Sequence, residues 1–394
     1  MNPDKAATRF PLPFYLSLLT TLLLFFGHHA LMPTLPLYVL YLGGTAASNG
    51  LVQWVFALAA VLMRPLSGAL SDRWGDWPVL VVGALLFGSG PLLYALCPSL
   101  GMLLLARALH GTGMAFYTTA YRALATALTP AGRRGEGLGV IGTATSVTML
   151  VAPLLGEWAA ARWGFAALFV LLGGLGLLAT LLTLALPRHG RPCVDQAWLS
   201  LRAALGQFEI RRCVGVMLLL GVPFSAWVGF LSLLAQARAL GTTGWAYTAY
   251  AALVTAGGLL AGRLVDRWGR RRMALPSMAL IALATLGLAL TYSPWGLVAL
   301  GGLLGLAWGA ARTGLDTLAQ DAVPSSLRGS ATAAQYTAFD LGIGLASLGL
   351  GVLAEWGGYG LVFGAGAAAT LAALPLLGWR RRPAPGVDST RPCA

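Results

Sequence analysis

The sequence predicts an all-α membrane protein whose twelve transmembrane helices form two pseudo-symmetric six-helix bundles. Three observations lead there. First, 57% of the 394 residues are apolar and only 10% are charged, whereas a soluble domain carries about a quarter charged residues. Such a chain has too few charges to coat a water-facing surface. Second, apolar stretches long enough to cross a bilayer, about 20 residues each, recur twelve times between short polar or Gly/Pro breaks. Third, the two halves of the chain repeat each other at a constant shift. Collagen-like, disordered and disulfide-scaffold classes are excluded by the same pattern. Cys97, Cys193, Cys213 and Cys393 show no metal-type spacing, and no structural disulfide is expected.

Span 1 covers 12–35. Lys5 and Arg9 precede it as in a secretory leader, but it is too long for one. Pro33 and Pro36 are expected to end it without a small-residue cleavage site, so it reads as a retained helix. Spans 2 and 3 cover 46–70 and 78–97, span 4 covers 102–126, and spans 5 and 6 cover 137–158 and 165–187. The longest connection, 188–212, then separates the halves. Within it Trp198, Leu201, Leu205 and Phe208 recur at helical spacing, with Arg202 and Gln207 on other faces. It reads either as an amphipathic helix on the membrane surface or as a flexible linker. Spans 7 to 12 cover 213–236, 242–264, 273–292, 296–320, 331–354 and 360–379. The expected organisation is an N-terminal bundle over 1–187, a cytoplasmic linker over 188–212 and a C-terminal bundle over 213–394.

Positive charge orients the spans. With the N-terminus in the cytoplasm, 20 of the 26 Lys and Arg residues fall on the inner side, including Lys5, Arg9, Arg133, Arg134, Arg191, Arg263, Arg380, Arg381, Arg382 and Arg391. Only Arg162 and Arg238 fall outside, and Arg64, Arg107, Arg122 and Arg312 lie within spans. An even number of spans puts both termini inside. The net charge of +13 is therefore a topological rim rather than a nucleic-acid footprint, and no nucleic-acid partner is expected.

The repeat is plainest in the loops. Gly68-Ala-Leu-Ser-Asp72-Arg73-Trp74-Gly75 lies between spans 2 and 3, and Gly262-Arg-Leu-Val-Asp266-Arg267-Trp268-Gly269 lies between spans 8 and 9, 194 residues later. The same shift maps Pro130 onto Pro324, Gly135 onto Gly329 and Arg122 onto Asp316. Glycine permits a tight turn, and each Asp can accept charge-assisted hydrogen bonds from an Arg or a helix N-terminus. The pattern G-x-x-x-D-R-x-G, followed by Arg270 and Arg271 in the second copy, resembles the loop signature of the major facilitator superfamily. The first copy departs from it, with Asp76 and Trp77 where basic residues usually follow. Arg107-Ala-Leu-His110-Gly111-Thr-Gly113 in span 4 is similar to the family's R-x-x-x-G-x-G pattern. Gly139, Gly142, Pro153 and Gly156 partly match the span 5 pattern of proton-linked exporters, with Ala152 and Glu157 standing where that pattern has glycine.

The resemblance implies a major facilitator fold, a cavity lined by helices 1, 4, 7 and 10, and a loop network that latches the cytoplasmic side. Gly68, Asp72, Arg73, Arg122, Asp266, Arg267 and Asp316 are the candidates for that gate, with Asp72–Arg122 and Arg267–Asp316 as expected pairs. Arg122 and Asp316 as substrate contacts, and Arg312–Asp316 as a pair within one helix, are the alternatives. Intramembrane ionisable residues are functional candidates by default. Arg107, His110, Met114, Tyr117 and Tyr121 follow one helical face of span 4, read as the cavity face; packing against a neighbouring helix is its rival. His28 is preferred to His29 because it shares a face with Ser17 and Thr21. His28 and His110 could handle a proton or bind an anionic group beside Arg107; a histidine bonded to backbone is the plain alternative. Asp340 lies about ten residues into span 11, with Tyr336 and Gly344 on its face. An unpaired carboxyl at that depth suits reversible protonation, because low dielectric penalises its charged form. Arg312, Tyr336, Trp308 and Trp227 are further candidates for substrate contact, with plain packing the alternative for the two tryptophans.

No nucleotide-binding loop, hydrolase elbow or Cys/His metal signature occurs. No enzyme activity, cofactor or resident metal is expected. The expected partners are a small-molecule substrate, protons and the lipid bilayer, and nothing in the chain demands an oligomer. The reading is a secondary active transporter of a bacterial inner membrane, exporting a drug-like, amphipathic or anionic solute against protons. Its rivals are a proton-coupled importer of sugars or organic acids and a non-transporting receptor or lipid-processing enzyme.

Overall fold

The computed structural model describes residues 10–130, 133–188, 197–324 and 327–378. All the regular structure among them is helical. The first half holds α1 (Leu12–Tyr41), α2 (Ala46–Trp74), α3 (Asp76–Ala95), α4 (Leu100–Leu128) and α5 (Arg134–Leu184). A short α6 (Ala197–Gly206) follows. The second half holds α7 (Phe208–Ala237), α8 (Gly244–Trp268), α9 (Arg270–Leu290), α10 (Pro294–Asp321) and α11 (Arg328–Gly378). Helices α5 and α11 are each 51 residues long and break at glycine: Gly164 at φ 80° in α5, and Gly357–Gly358 in α11, with Gly358 at φ 77°. Each therefore supplies two of the expected spans, and Gly358 follows Gly164 by the repeat shift of 194. Lys5, Arg9, Arg191, Cys193, Arg380, Arg381, Arg382, Arg391 and Cys393 lie outside the described residues, as do the side chains of Arg134, Trp198, Arg263 and Asp266.

Eight described helices are long and apolar enough to cross a membrane. Helices α4 and α8 have the length, 29 and 25 residues, but are more polar. The outward faces are apolar in the way lipid requires: Leu62, Leu105, Leu181, Leu259 and Leu283 are all more than half exposed.

Local chemistry sets the helix ends. Thr45, Ser99 and Ser293 accept N–H bonds from Ser48, Met102 and Gly296, capping α2, α4 and α10. Gly75 and Gly269 close the two signature loops at φ 86° and 85°, a conformation nearly confined to glycine. One expectation fails at an end. Pro33 and Pro36 do not stop span 1, because α1 runs through both to Tyr41. Leu31, Leu35, Tyr38 and Val39 remain buried across the prolines, and with no water to bond the backbone, helix is retained despite two lost donors.

The charged loops gather at one end of the molecule, here the arginine end. There Glu209 at the start of α7 accepts from Arg212 at 3.0 Å and from Arg271 of α9 at 2.8 Å, and Arg270 pairs with Asp321 of α10. Ala204 of α6 is buried in a cluster with Ile210, Cys213, Ala319, Val323 and Ala331, which seats the short helix against the second half. The two halves meet closely at the opposite, far end. A side chain added at Gly50 of α2 would strike the Ser347 backbone of α11, and one at Gly244 of α8 would strike Leu154 of α5. At the arginine end, among the described residues, no heavy atom lies within 4 Å of a Cβ added at Gly68, Gly139, Gly262 or Gly329. The halves are thus pressed together at the far end, and no such close approach occurs at these four glycines among the described residues.

Candidate functional site

A cavity of about 170 Å³ lies between the halves near mid-depth. Helix α1 contributes His28, Leu31 and Met32; α2 contributes Gln53, Phe56 and Arg64; α4 contributes Arg107 and Met114. The second half contributes Phe224 and Val228 from α7 and Phe339, Asp340 and Ile343 from α11. The α2 residues Gln53, Phe56, Ala60 and Arg64 are spaced three and four apart, so one helical face supplies the whole wall.

Arg107 is 3% exposed. Its Nη2 donates to Gln53 Oε1 at 3.1 Å, its Nη1 to the Tyr94 hydroxyl at 3.3 Å and its Nε to the Val52 carbonyl at 3.4 Å. The guanidinium sits 4.1 Å from the Phe56 ring centroid. All of these partners are neutral. The motif glycines explain how the arginine comes to be buried. An added Cβ at Gly111 would meet the Phe56 backbone and one at Gly113 the Phe87 backbone, so α4 is drawn tightly onto α2 and α3.

The ion pair at the centre overturns one expectation. Asp340 is not unpaired: its Oδ2 lies 2.5 Å from Arg64 Nη2, and each side chain is about a quarter exposed, at 24% and 25%. Arg64 comes from the first half and Asp340 from the second, so the pair bridges them across the cavity. Sequence reasoning left Arg64 without a role. Its place on the same α2 face as Gln53 was the available signal.

His110 is 1% exposed and shares a 2.5 Å hydrogen bond, through Nδ1, with the Tyr94 hydroxyl. His28 lines the cavity 6.1 Å from His110, ring to ring, and its Nδ1 has no hydrogen-bond partner among the described residues. His29 turns away, its Nδ1 2.9 Å from the Thr148 hydroxyl of α5. The preference for His28 as the cavity-facing member agrees with this placement.

Other candidates lie elsewhere. Tyr117 and Tyr121 stack at 5.5 Å in the first half's core, and the Tyr117 hydroxyl contacts Thr20 and Thr21 of α1 at 3.2 and 2.8 Å. They continue the Arg107 face below the cavity instead of lining it. Trp227 is fully buried against Tyr247 and Tyr250 of α8, and its helix turns Phe224 and Val228 to the cavity in its place. Trp308 packs behind the wall, 5.1 Å from Phe224 and 5.5 Å from Phe339. Arg312 pairs with Asp316 at 3.2 Å within α10 and lies 4.1 Å from the Tyr336 ring. Arg122, from the other half, lies 5.0 Å from the same ring. Tyr336 thus stands between two guanidinium groups on the arginine side of the ion pair. Asp316 has Arg312, not Arg267, as its cation among the described residues. Asp72, Arg73 and Arg267 sit exposed at the arginine end, beside Gly68 and the Asp266 backbone.

Two bundles around a largely apolar cavity that holds charged side chains, closed at the far end, form an arrangement shared with known proteins. The family model described as the Major Facilitator Superfamily matches residues 17–242 and 237–392. The chain belongs to the Major Facilitator Superfamily. Among its relatives is the multidrug resistance protein MdtG of Citrobacter koseri, 29% identical over 305 residues, covering 73% of this chain and 74% of that one. Another is the quinolone resistance protein NorA of Staphylococcus aureus, 25% identical over 164 residues, 42% of each chain. Among solved structures, a mutant of the nucleoside transporter NupG superposes with a TM-score of 0.77 at 17% identity, covering 93% of this chain and 98% of that one. The human organic anion transporter MFSD10 superposes at 0.68 and 18% identity, covering 96% and 100%. These likenesses establish the fold; the family establishes that this multi-pass membrane protein is a transporter and not an enzyme.

Proposed function

We propose that the chain is a proton-coupled exporter that moves an amphipathic or anionic organic molecule across a bacterial inner membrane by alternating access. The arginine end is cytoplasmic in this reading, with both termini there, so the described arrangement opens inward. The observation that carries it is the cavity's set of charges. Arg64 and Asp340 neutralise each other, while among the described residues Arg107 has only neutral partners. A buried guanidinium without a counter-charge is costly, and a substrate carboxylate or other anionic group lowers that cost. Phe56, Phe224 and Phe339 offer apolar walls for the rest of the molecule. The names of MdtG and NorA favour export of drug-like compounds.

Asp340 is assigned the coupling proton, with His28 and His110 near enough to relay it. Protonating Asp340 breaks its pair with Arg64 and so releases one link between the halves. Purified protein in proteoliposomes should show substrate flux that an uncoupler abolishes, and a deletion strain should become drug-sensitive. Uptake that fails in the deletion strain without any change in drug sensitivity would reverse the direction. The Arg64–Asp340 pair also fits that second, importer reading, because an anion drawn to Arg64 would free Asp340 to take a proton in the same step. Flux in the direction of proton entry separates it from antiport. The protein is expected to work as a monomer.

A further inference from the structure

The far end carries two carboxylates that the transport reading does not use. Glu157, near the end of the first crossing of α5, is 8% exposed. Its Oε1 accepts the Thr243 N–H at 3.0 Å and also the Thr243 hydroxyl, and its Oε2 accepts the Gly244 N–H at 2.7 Å. Those donors are the first free N–H groups of α8, in the opposite half, where the helix dipole favours negative charge. Glu355, near the end of the first crossing of α11, does the reverse. Its Oε1 accepts the Ala47 N–H at 2.9 Å, in the first turn of α2. Each half lends a carboxylate to a helix N-terminus of the other.

The register of the repeat argues that these contacts are built in. Asp72 to Asp266, Gly75 to Gly269 and Gly164 to Gly358 all differ by 194 residues. Glu355 instead follows Glu157 by 198, one helical turn too far. The receiving helices are displaced by the same turn, because the N-cap residue Thr243 follows the N-cap residue Thr45 by 198. Helix α2 has 29 residues and α8 has 25. Where the receiving helix starts one turn further out, the carboxylate also sits one turn further out.

We infer that Glu157 and Glu355 are the paired latches of a far-end gate, and that both release when the cavity opens to that side. Neutral contacts also cross between the halves: the Thr248 hydroxyl donates to the Leu150 carbonyl at 2.7 Å beside Glu157, and Asn49 Nδ2 of α2 donates to the Gly229 carbonyl of α7 at 2.7 Å. Glu157 also lines a vestibule of about 670 Å³ at the far end, so water reaches this latch from that side. It is buried and has three donors, whereas Glu355 is exposed and has the Ala47 N–H and the Thr45 side chain as partners. Glu157 is therefore the stronger latch. The inference depends on the alternating-access fold and not on the substrate or the coupling ion.

Spin-label distances in the full chain, in nanodiscs and a cysteine-free background, test it without a substrate. Labels at Arg162→Cys and Ala237→Cys span the Glu157 seam, and labels at Tyr41→Cys and Trp356→Cys span the Glu355 seam. Glu157→Gln should lengthen the first distance and Glu355→Gln the second. Together they should raise the far-end-open population roughly threefold or more. Thr243→Val removes one donor and should shift the first distance the same way by less, which keeps the test alive if Glu157→Gln folds poorly. Unchanged distances in the folded double variant would overturn the inference. So would an equal shift from Glu136→Gln at the arginine end.

Discussion

Arg64 and Asp340 share their charge across the two halves, so each is expected to matter chiefly through the other. Removing one partner leaves an uncompensated charge; with each side chain about a quarter exposed, the expected cost is about 2–3 kcal/mol, below that of a fully buried pair. Thermal melting of Arg64→Gln, Asp340→Asn and the double variant measures it, and the double variant should lose less than the sum of the singles. Strict additivity would show that the two residues do not interact. Asp340→Asn should also abolish pH-driven transport while leaving counterflow exchange, since the neutral amide mimics one protonation state. Proton dependence that survives in Asp340→Asn would remove Asp340 from coupling. Arg107→Lys keeps the charge but loses the planar fork held by Gln53 and Tyr94. Affinity for an anionic ligand should fall about tenfold, read as a smaller thermal shift at saturating concentration.

At the scale of helices and turns, glycine is the residue that decides geometry. Gly75 and Gly269 stand in a backbone region that costs other residues about 1–3 kcal/mol, and each joins two crossings without an intervening loop. Alanine at either should lower the melting temperature by that amount of stability while leaving the cavity intact. Gly113→Ala acts differently, because its methyl would press on the α3 backbone at Phe87. Overpacking of about 1–3 kcal/mol is expected, together with a shift of Arg107 that weakens ligand binding. A Gly113→Ala protein with normal stability and normal binding would mean that α4 is not held as closely as described.

For the whole molecule, contact between halves is uneven. The far end is closed by glycine-to-backbone approaches and by Glu157 and Glu355, while among the described residues the arginine-end glycines meet no neighbour. A cysteine placed at Met114, on the cavity wall, should therefore react with an impermeant thiol reagent applied from the arginine end and be protected from the far end. Preferential labelling from the far end would show that the resting molecule opens the other way. The distribution also fits the way in which a two-bundle transporter works: rigid halves rock about a central site, so one end must part when the other closes.

The sequence by itself determined the crossings, the two bundles, the signature turns and most of the ionisable residues within the spans. These are local matters. Hydropathy, helical spacing and the need for glycine at positive φ act over a few residues, so Gly75, Arg107 and Asp340 could each be singled out from their neighbours alone. Tertiary structure decided which of them meet. Arg64 finds Asp340, and Glu157 finds Thr243, across two bundles whose relative rotation no short-range pattern records. Trp227 and Tyr117 were misplaced for the same reason: helical periodicity groups residues on a face but does not say which neighbour that face meets. Pro33 and Pro36 do not end α1, because proline ends a helix where water can bond the freed backbone. In a buried apolar segment that water is absent, and continuing the helix is the lower-energy choice.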